Sequence, residues 1–241
     1  MDARGKGERV LDRLGQAIVA GRYAACDKLP TEDEVARKLG VSRPSLREGL
    51  KALARKGLIE SRTRRGTIAL GRERWDVLDH DVLRWTASAT PDREFLIGLV
   101  EARSIFEPAA ARLAAQRATP AQILAIERAW QGMADALPQD LEACNRHDLA
   151  FHEGIIAASG NVLLVRLVAM IRVALLSLFR TSGNAREGYL NSLAEHKAVA
   201  DAIRRRLPDE AEAAMKQLLR GTVRDLEPAF IPKRRARGGK S

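Results

Sequence analysis

The sequence predicts a mostly α-helical chain, built as an N-terminal winged helix-turn-helix followed by an all-α bundle of six or seven helices. Three observations carry this. Two short amphipathic helix patterns joined at Gly40 run into a basic hairpin pattern. Beyond residue 85, apolar residues recur at helical spacing to about residue 226 without a strand pattern. The breaks in that stretch are Thr-Pro, Leu-Pro and Ser-Gly-Asn, which are helix-end signals.

In chain order, residues 7–21 are amphipathic, with Val10, Leu11, Leu14, Ala17 and Ile18 on one side. Over residues 29–39, Thr31 and Glu34 have capping-box spacing after Pro30, Val35, Ala36 and Leu39 share an apolar face, and Gly40 ends the helix. Ser42 can cap the next helix, Pro44 is tolerated in its first turn, and Leu46, Leu50 and Leu53 supply its buried face. Opposite them, Arg43, Arg47 and Lys51 form a cationic stripe. On an isolated helix such a stripe reads as a solvated face. Behind a helix and turn it matches a recognition helix entering the major groove. Residues 58–63 and 67–70 read as two strands around Arg64, Arg65 and Gly66, with Gly66 taking the positive φ of a tight turn. This basic hairpin is the wing.

Charge follows the same division. Residues 1–72 hold 17 Lys and Arg against 9 Asp and Glu, a net +8, residues 73–228 hold 19 against 22, and residues 229–241 hold 5 against none. The positive charge sits where phosphate neutralisation would need it. The expected domains are therefore 1–72 for binding double-stranded DNA, 73–228 for effector binding and dimerisation, and a disordered basic tail, 229–241. Cys26 and Cys144 fall one in each domain, which speaks against a disulfide framework and fits a cytoplasmic protein. The apolar run 162–179 is broken by Arg166 and Arg172, each costing roughly 2.5 to 3.5 kcal/mol at bilayer depth, so it predicts a helix buried in the bundle or at a dimer interface and no membrane contact.

In the second domain, the patterns predict helices over 93–117, 119–137, 141–158, 161–179, 187–206 and 208–226, behind a linker that enters a short helix near residue 80. Several polar residues fall on their apolar faces. Leu99, Arg103, Phe106, Ala110 and Leu113 share one, and a buried arginine needs an anion: either Glu107, one turn on, or the carboxylate of a small ligand. Cys144, Asp148, Phe151, His152 and Ile155 share another, with Asp148 and His152 one turn apart. Tyr189, Leu193, His196 and Ile203 share a third. Asp148, His152 and His196 around one point would suit a divalent metal, zinc or similar. That set admits two functions, an effector-sensing regulator or a metal-dependent enzyme using the same three ligands. A nucleoid protein blind to sequence would leave Arg103 and the histidines unexplained. His80 and His147 read as surface or hinge residues.

Residues 15–21, Leu29-Pro-Thr-Glu32, Val41-Ser-Arg-Pro-Ser-Leu-Arg47 and Gly57-Leu-Ile-Glu-Ser-Arg62 resemble the DNA-binding domain of GntR-family bacterial transcription regulators. The resemblance implies DNA contacts from Arg43, Arg47 and Gly66, with Arg65 as a minor-groove or phosphate contact. Ser42 and Ser45 at the same helix start complete the expected set. In the fatty-acid-responsive branch, an arginine that touches the operator occupies the position of Asp33. Glu101 to Pro108, Asp148 to Glu153, Ser159-Gly-Asn161 and Glu195-His196 are similar to the FCD ligand-binding domain of that branch. What this implies is a homodimer that is released from its operator by a small hydroxy-carboxylate, with Arg103 and Asn161 at the effector and Asp148, His152 and His196 at a metal; Ser192, one turn before His196, is spaced to bond an effector hydroxyl. The fourth ligand of metal-binding members falls at Leu218. Residues 74–85 resemble the linker of sugar-acid-responsive members, which implies a sugar acid as effector and a repressor of its catabolic operon.

Overall fold

The computed structural model describes residues 3–62, 66–89, 93–168, 172–173 and 185–230. They form two compact units, Met1–Pro91 and Asp92–Ser241.

In the first unit, α1 (Ala3–Val19), α2 (Glu32–Leu39) and α3 (Arg43–Arg55) precede a two-stranded antiparallel sheet, β1 (Ile59–Arg62) and β2 (Gly66–Ala69), in which Ile59 pairs with Ala69 and Arg62 with Gly66. Each helix ends where local chemistry requires. Thr31 and Glu34 form the expected capping box, Gly40 closes α2 in the left-handed region at φ 63°, and Ser42 caps α3. Val10, Leu14 and Ile18 of α1 pack with Leu46 and Leu53 of α3, and Leu50 is half-buried beside them. The helices approach closely because Gly49 has no side chain: a Cβ there would lie 2.7 Å from Val10.

This unit extends past the expected boundary at residue 72. After a 3₁₀ turn (Arg72–Arg74), α4 (His80–Ser88) is capped by Asp79 and folds back onto α1 with Trp85 in the core. The half-buried Lys56 ammonium ties it down, 2.7 Å from Asp79 and 2.9 Å from Asp81. Burial opposes the charge of Lys56, but the two carboxylates outweigh it and raise its pKa. What the sequence presents as a linker is thus part of the DNA-binding unit's core.

The second unit is helical throughout its described residues: α5 (Arg93–Arg117), α6 (Pro120–Ala136), α7 (Leu141–Ala158), α8 (Val162–Arg166), α9 (Ala185–Arg204) and α10 (Pro208–Phe230). Thr119 and Gln122 make a capping box for α6, Asp140 caps α7 and Asn161 caps α8. Helix α5 is central, packed against α10, α7 and α9, while α6 pairs with α7 and α9. Ala110, Ala111, Ala114 and Ala115 are fully buried on α5, so its neighbours approach nearly to the backbone. Leu218 of α10 is buried in the same core as Phe151 and Ile155. The helix expected over 161–179 is described as α8 to Arg166, and most of the remainder, like residues 231–241 of the tail, lies outside the described residues. Among the described residues no helix is long and apolar enough to cross a membrane.

Candidate functional site

Two separate groups of residues carry chemistry. On α3, Arg43 and Arg47 point outward, their side chains 68% and 66% exposed. Each rests on the acidic first turn of α2: Arg43 Nη2 lies 2.8 Å from Asp33 Oδ1 and Arg47 Nε lies 3.1 Å from Glu32 Oε2. Exposed pairs of this kind contribute about 0 to 1 kcal/mol, so a phosphate or a guanine edge can replace the carboxylate. Gly66 has φ 81°, the conformation expected for the wing turn, and Arg65 lies outside the described residues.

Two assignments change at this surface. Ser45, expected to reach DNA, is buried, and its hydroxyl meets that of Ser42 at 3.0 Å; the cap geometry turns it into the protein. Ser42 stays exposed but accepts from the Ser45 amide, so it organises the helix start. Lys28 was not apparent from sequence, because no periodicity marks a lone lysine before a turn. It bridges to Ile68 while the adjacent Leu29 amide bonds Thr67, which lays the Lys28 side chain along Gly66 of the wing.

The second group is buried in the helical unit. Arg103 and Glu107 of α5, Asp148 and His152 of α7, and His196 of α9 are each at most 3% exposed. Glu107 faces Arg103 and His152, with Oε1 2.5 Å from Arg103 Nε and Oε2 2.6 Å from His152 Nδ1; the second approach is close but lacks hydrogen-bond alignment. Burial would push the Glu107 carboxyl up, yet Arg103 first and His152 next hold it down at about 2. Asp148 is also held below its usual range. Burial pushes it upward, but the His196 hydrogen bond and the neighbouring His152 and Arg103 prevail.

Both histidines present the same edge to Asp148. The His196 Nδ1–H donates to the Ser192 carbonyl at 2.8 Å, and Nε2, the nitrogen a cation would take, is hydrogen-bonded to Asp148 Oδ1 at 2.9 Å. His152 directs Nδ1 at Glu107, leaving Nε2 at 3.7 Å from the same oxygen. Pinning one imidazole nitrogen on an oxygen and presenting the other is the outer-shell arrangement of metal-binding histidines. One donor atom from each of Asp148, His152 and His196 lies within 4.8 Å of the others. The residues therefore fit a divalent ion.

Arg103 supports both of the sequence readings. Its Nε is paired with Glu107, Nη2 lies 3.3 Å from His152 Nε2, and Nη1 is buried without a partner. An orphaned buried guanidinium N–H is costly enough to call for an anion. The other expected effector residues are placed less directly. Asn161 uses its side-chain oxygen to cap α8, accepting from Leu163 and Leu164, and Ser192 contributes its carbonyl to His196. His80 is exposed, whereas His147 is half-buried with its ring over Gly132. Cys144, one turn before Asp148, has its thiol pushed up to about 12 by burial and by the aspartate, so it is not a thiolate ligand at neutral pH.

Residues 6–68 match the family model described as bacterial regulatory proteins of the gntR family, and residues 98–221 match the FCD domain. The chain is 35% identical over 223 residues to the galactonate operon transcriptional repressor of Escherichia coli K12, covering 92% of this chain and 97% of that one. It is 32% identical to a putative L-lactate dehydrogenase operon regulatory protein of the same strain, covering 86% and 81%. Among solved structures it resembles a GntR protein of Streptococcus agalactiae, with TM-score 0.51, 27% identity, and 90% and 99% of the two chains covered. With a winged helix-turn-helix matched at one end and a helical ligand domain at the other, the chain belongs to the GntR family, in the branch that carries an FCD domain, and is a DNA-binding transcription regulator rather than an enzyme.

Proposed function

We propose that this protein is a homodimeric cytoplasmic repressor of a sugar-acid catabolic operon, released from its operator when a small hydroxy-carboxylate enters the helical unit. The observation that carries this is the buried cluster in which Arg103 Nη1 is unpaired while two imidazole Nε2 atoms converge on Asp148. With both histidines neutral, as metal ligation requires, Arg103, Glu107 and Asp148 sum to one negative charge. A divalent cation on Asp148, His152 and His196 reverses it to +1, and one effector carboxylate on Arg103 brings it to zero. When bound, the metal would supply Lewis-acidic positions for the effector's oxygens. Leu218 at the fourth family position keeps the protein ligand count at three and leaves such positions open. Ser192 stands one turn from His196 for a hydroxyl contact, and Asn161 is the other effector candidate.

The galactonate relative favours an aldonate over other acids. Release then follows from linkage. If the acid binds better to an arrangement in which the two recognition helices no longer match half-sites one helical turn apart, it lowers DNA affinity by the factor by which DNA lowers acid affinity. On the DNA side, Arg43 and Arg47 read the major groove, with the wing at Gly66 and Arg65 on the backbone. The test is operator binding followed by fluorescence anisotropy against D-galactonate, L-lactate and a neutral sugar, before and after chelation. Release by galactonate that is lost on chelation is expected. Indifference to every acid would overturn the sensor.

A further inference from the structure

We propose that Glu107 is the positioning residue that joins the two halves of this site: one oxygen fixes the Nδ1-protonated form of His152, and the other anchors Arg103 by Nε so that its Nη edge stays available to an anion. The inference rests on the metal and carboxylate reading above and adds a residue that this reading leaves unused.

The geometry sets the protons. His152 Nδ1 lies 2.6 Å from Glu107 Oε2 without hydrogen-bond alignment, and an ionised carboxylate that close repels a bare nitrogen lone pair, so the protonated form of Nδ1 is the one it favours. On the other side of the ring, Arg103 Nη2, which only donates, lies 3.3 Å from His152 Nε2 and requires a lone pair there. Both neighbours thus specify the same tautomer. The lone pair it exposes on Nε2 is the one a cation between His152 and Asp148 would use, so Arg103 Nη2 and the cation compete for it. Glu107 decides what happens to the displaced arginine. Held through Nε at 2.5 Å, the guanidinium can surrender Nη2 without leaving Glu107, and Nη2 joins the unpaired Nη1 as a two-pronged edge of the kind that grips a carboxylate. Cation binding at His152 and anion binding at Arg103 are therefore mutually reinforcing, with Glu107 as the shared support.

Replacing Glu107 by glutamine separates this role from packing. Glutamine has the same shape but one acceptor and one donor, while its two neighbours both donate. Either Arg103 Nε loses its acceptor or His152 takes the opposite tautomer and buries a proton on Nε2. Zinc affinity of the full chain, measured alone by chelator competition, is expected to fall 10- to 100-fold in Glu107→Gln. Long-range ¹H–¹⁵N spectra of the zinc-free protein are expected to show His152 Nδ1-protonated in wild type and altered in the variant. Glu107→Asp restores two acceptors while worsening the packing, and is expected to recover part of the affinity. Circular dichroism checks that each variant is folded, and Glu107→Asp carries the comparison if the glutamine variant is not. Glutamine tighter than aspartate would overturn the positioning role. So would wild-type zinc affinity in Glu107→Gln when His152→Ala has lost it, with the metal reading left standing. Wild type that takes up no zinc would overturn the metal reading, and this proposal with it.

Discussion

Trp85 of α4 lies so close to Gly15 of α1 that a Cβ on Gly15 would fall 2.4 Å from the indole ring. The same indole donates Nε1–H to Asp12 Oδ1 at 3.0 Å, one turn earlier on α1. This apolar contact and hydrogen bond help to seat α4, beside the ion pairs of Lys56, and the close approach needs the glycine. Gly15→Ala is expected to destabilise the DNA-binding unit by at least about 1 to 3 kcal/mol, the usual cost of overpacking. Thermal melting of the two proteins checks this, and an unchanged midpoint would mean that α4 does not dock there.

The DNA surface gives a second expectation. Arg47 is anchored on Glu32 through Nε, which leaves its terminal nitrogens to face a groove. Arg47→Ala is expected to remove about 1 to 3 kcal/mol of discrimination between the operator and a single-base variant. Lys28→Ala is expected to weaken all DNA alike and flatten the salt dependence. Gel shifts in which Arg43→Ala and Arg47→Ala both match wild type would exclude α3 as the reader.

Much of this was legible in the sequence for identifiable reasons. The capping signals at Thr31 and Ser42 act within three residues, so α2 and α3 begin where local chemistry places them. The helical period put Arg103, Asp148, His152 and His196 on inward faces, and each is buried. What the period could not give was partners across elements. Lys56 and Asp79 are 23 residues apart and look like surface charge, so the seating of α4 on the first unit was hidden. Period alone likewise left Glu107 as a salt-bridge partner for Arg103, because its contact with His152 crosses from α5 to α7. Ser45 was misjudged because a serine in a first helical turn can face DNA or the cap, and only the fold decides.

A third expectation concerns acid. The Glu107 carboxyl is held at about 2 against an ordinary value of 4.5, so its contribution is present in full above about pH 4.5 and is lost as pH falls through 2. At 1.36 kcal/mol per unit, the gap corresponds to at most about 3 kcal/mol. Asp148, shifted in the same direction, adds loss of the same sign. Denaturant midpoints of wild type should therefore fall more steeply than those of Glu107→Gln as pH drops from about 5.5 to 3. Parallel curves would show that Glu107 is not ionised in the folded protein.

The last expectation sets two roles of Arg103 against each other. Arg103→Met keeps the volume but leaves Glu107 and Asp148 buried without the guanidinium, and breaking a buried pair costs about 3 to 5 kcal/mol. The variant should be less stable than wild type without metal. It should also bind zinc more tightly, because the competing Nη2 and its positive charge are gone from beside His152. Saturating zinc should then recover much of the lost stability, by mass action on the folded state. The acid response should move the opposite way: the zinc-loaded variant should hold its operator as wild type does, yet need far more D-galactonate to let go, a charge-assisted hydrogen bond being worth about 1.5 to 3 kcal/mol. If Arg103 served only as a salt-bridge partner for Glu107, restoring stability with zinc would restore the response as well. Calorimetry with zinc and anisotropy with galactonate on the same preparation separate the two, and a normal galactonate midpoint in the zinc-loaded variant would remove Arg103 from the effector site.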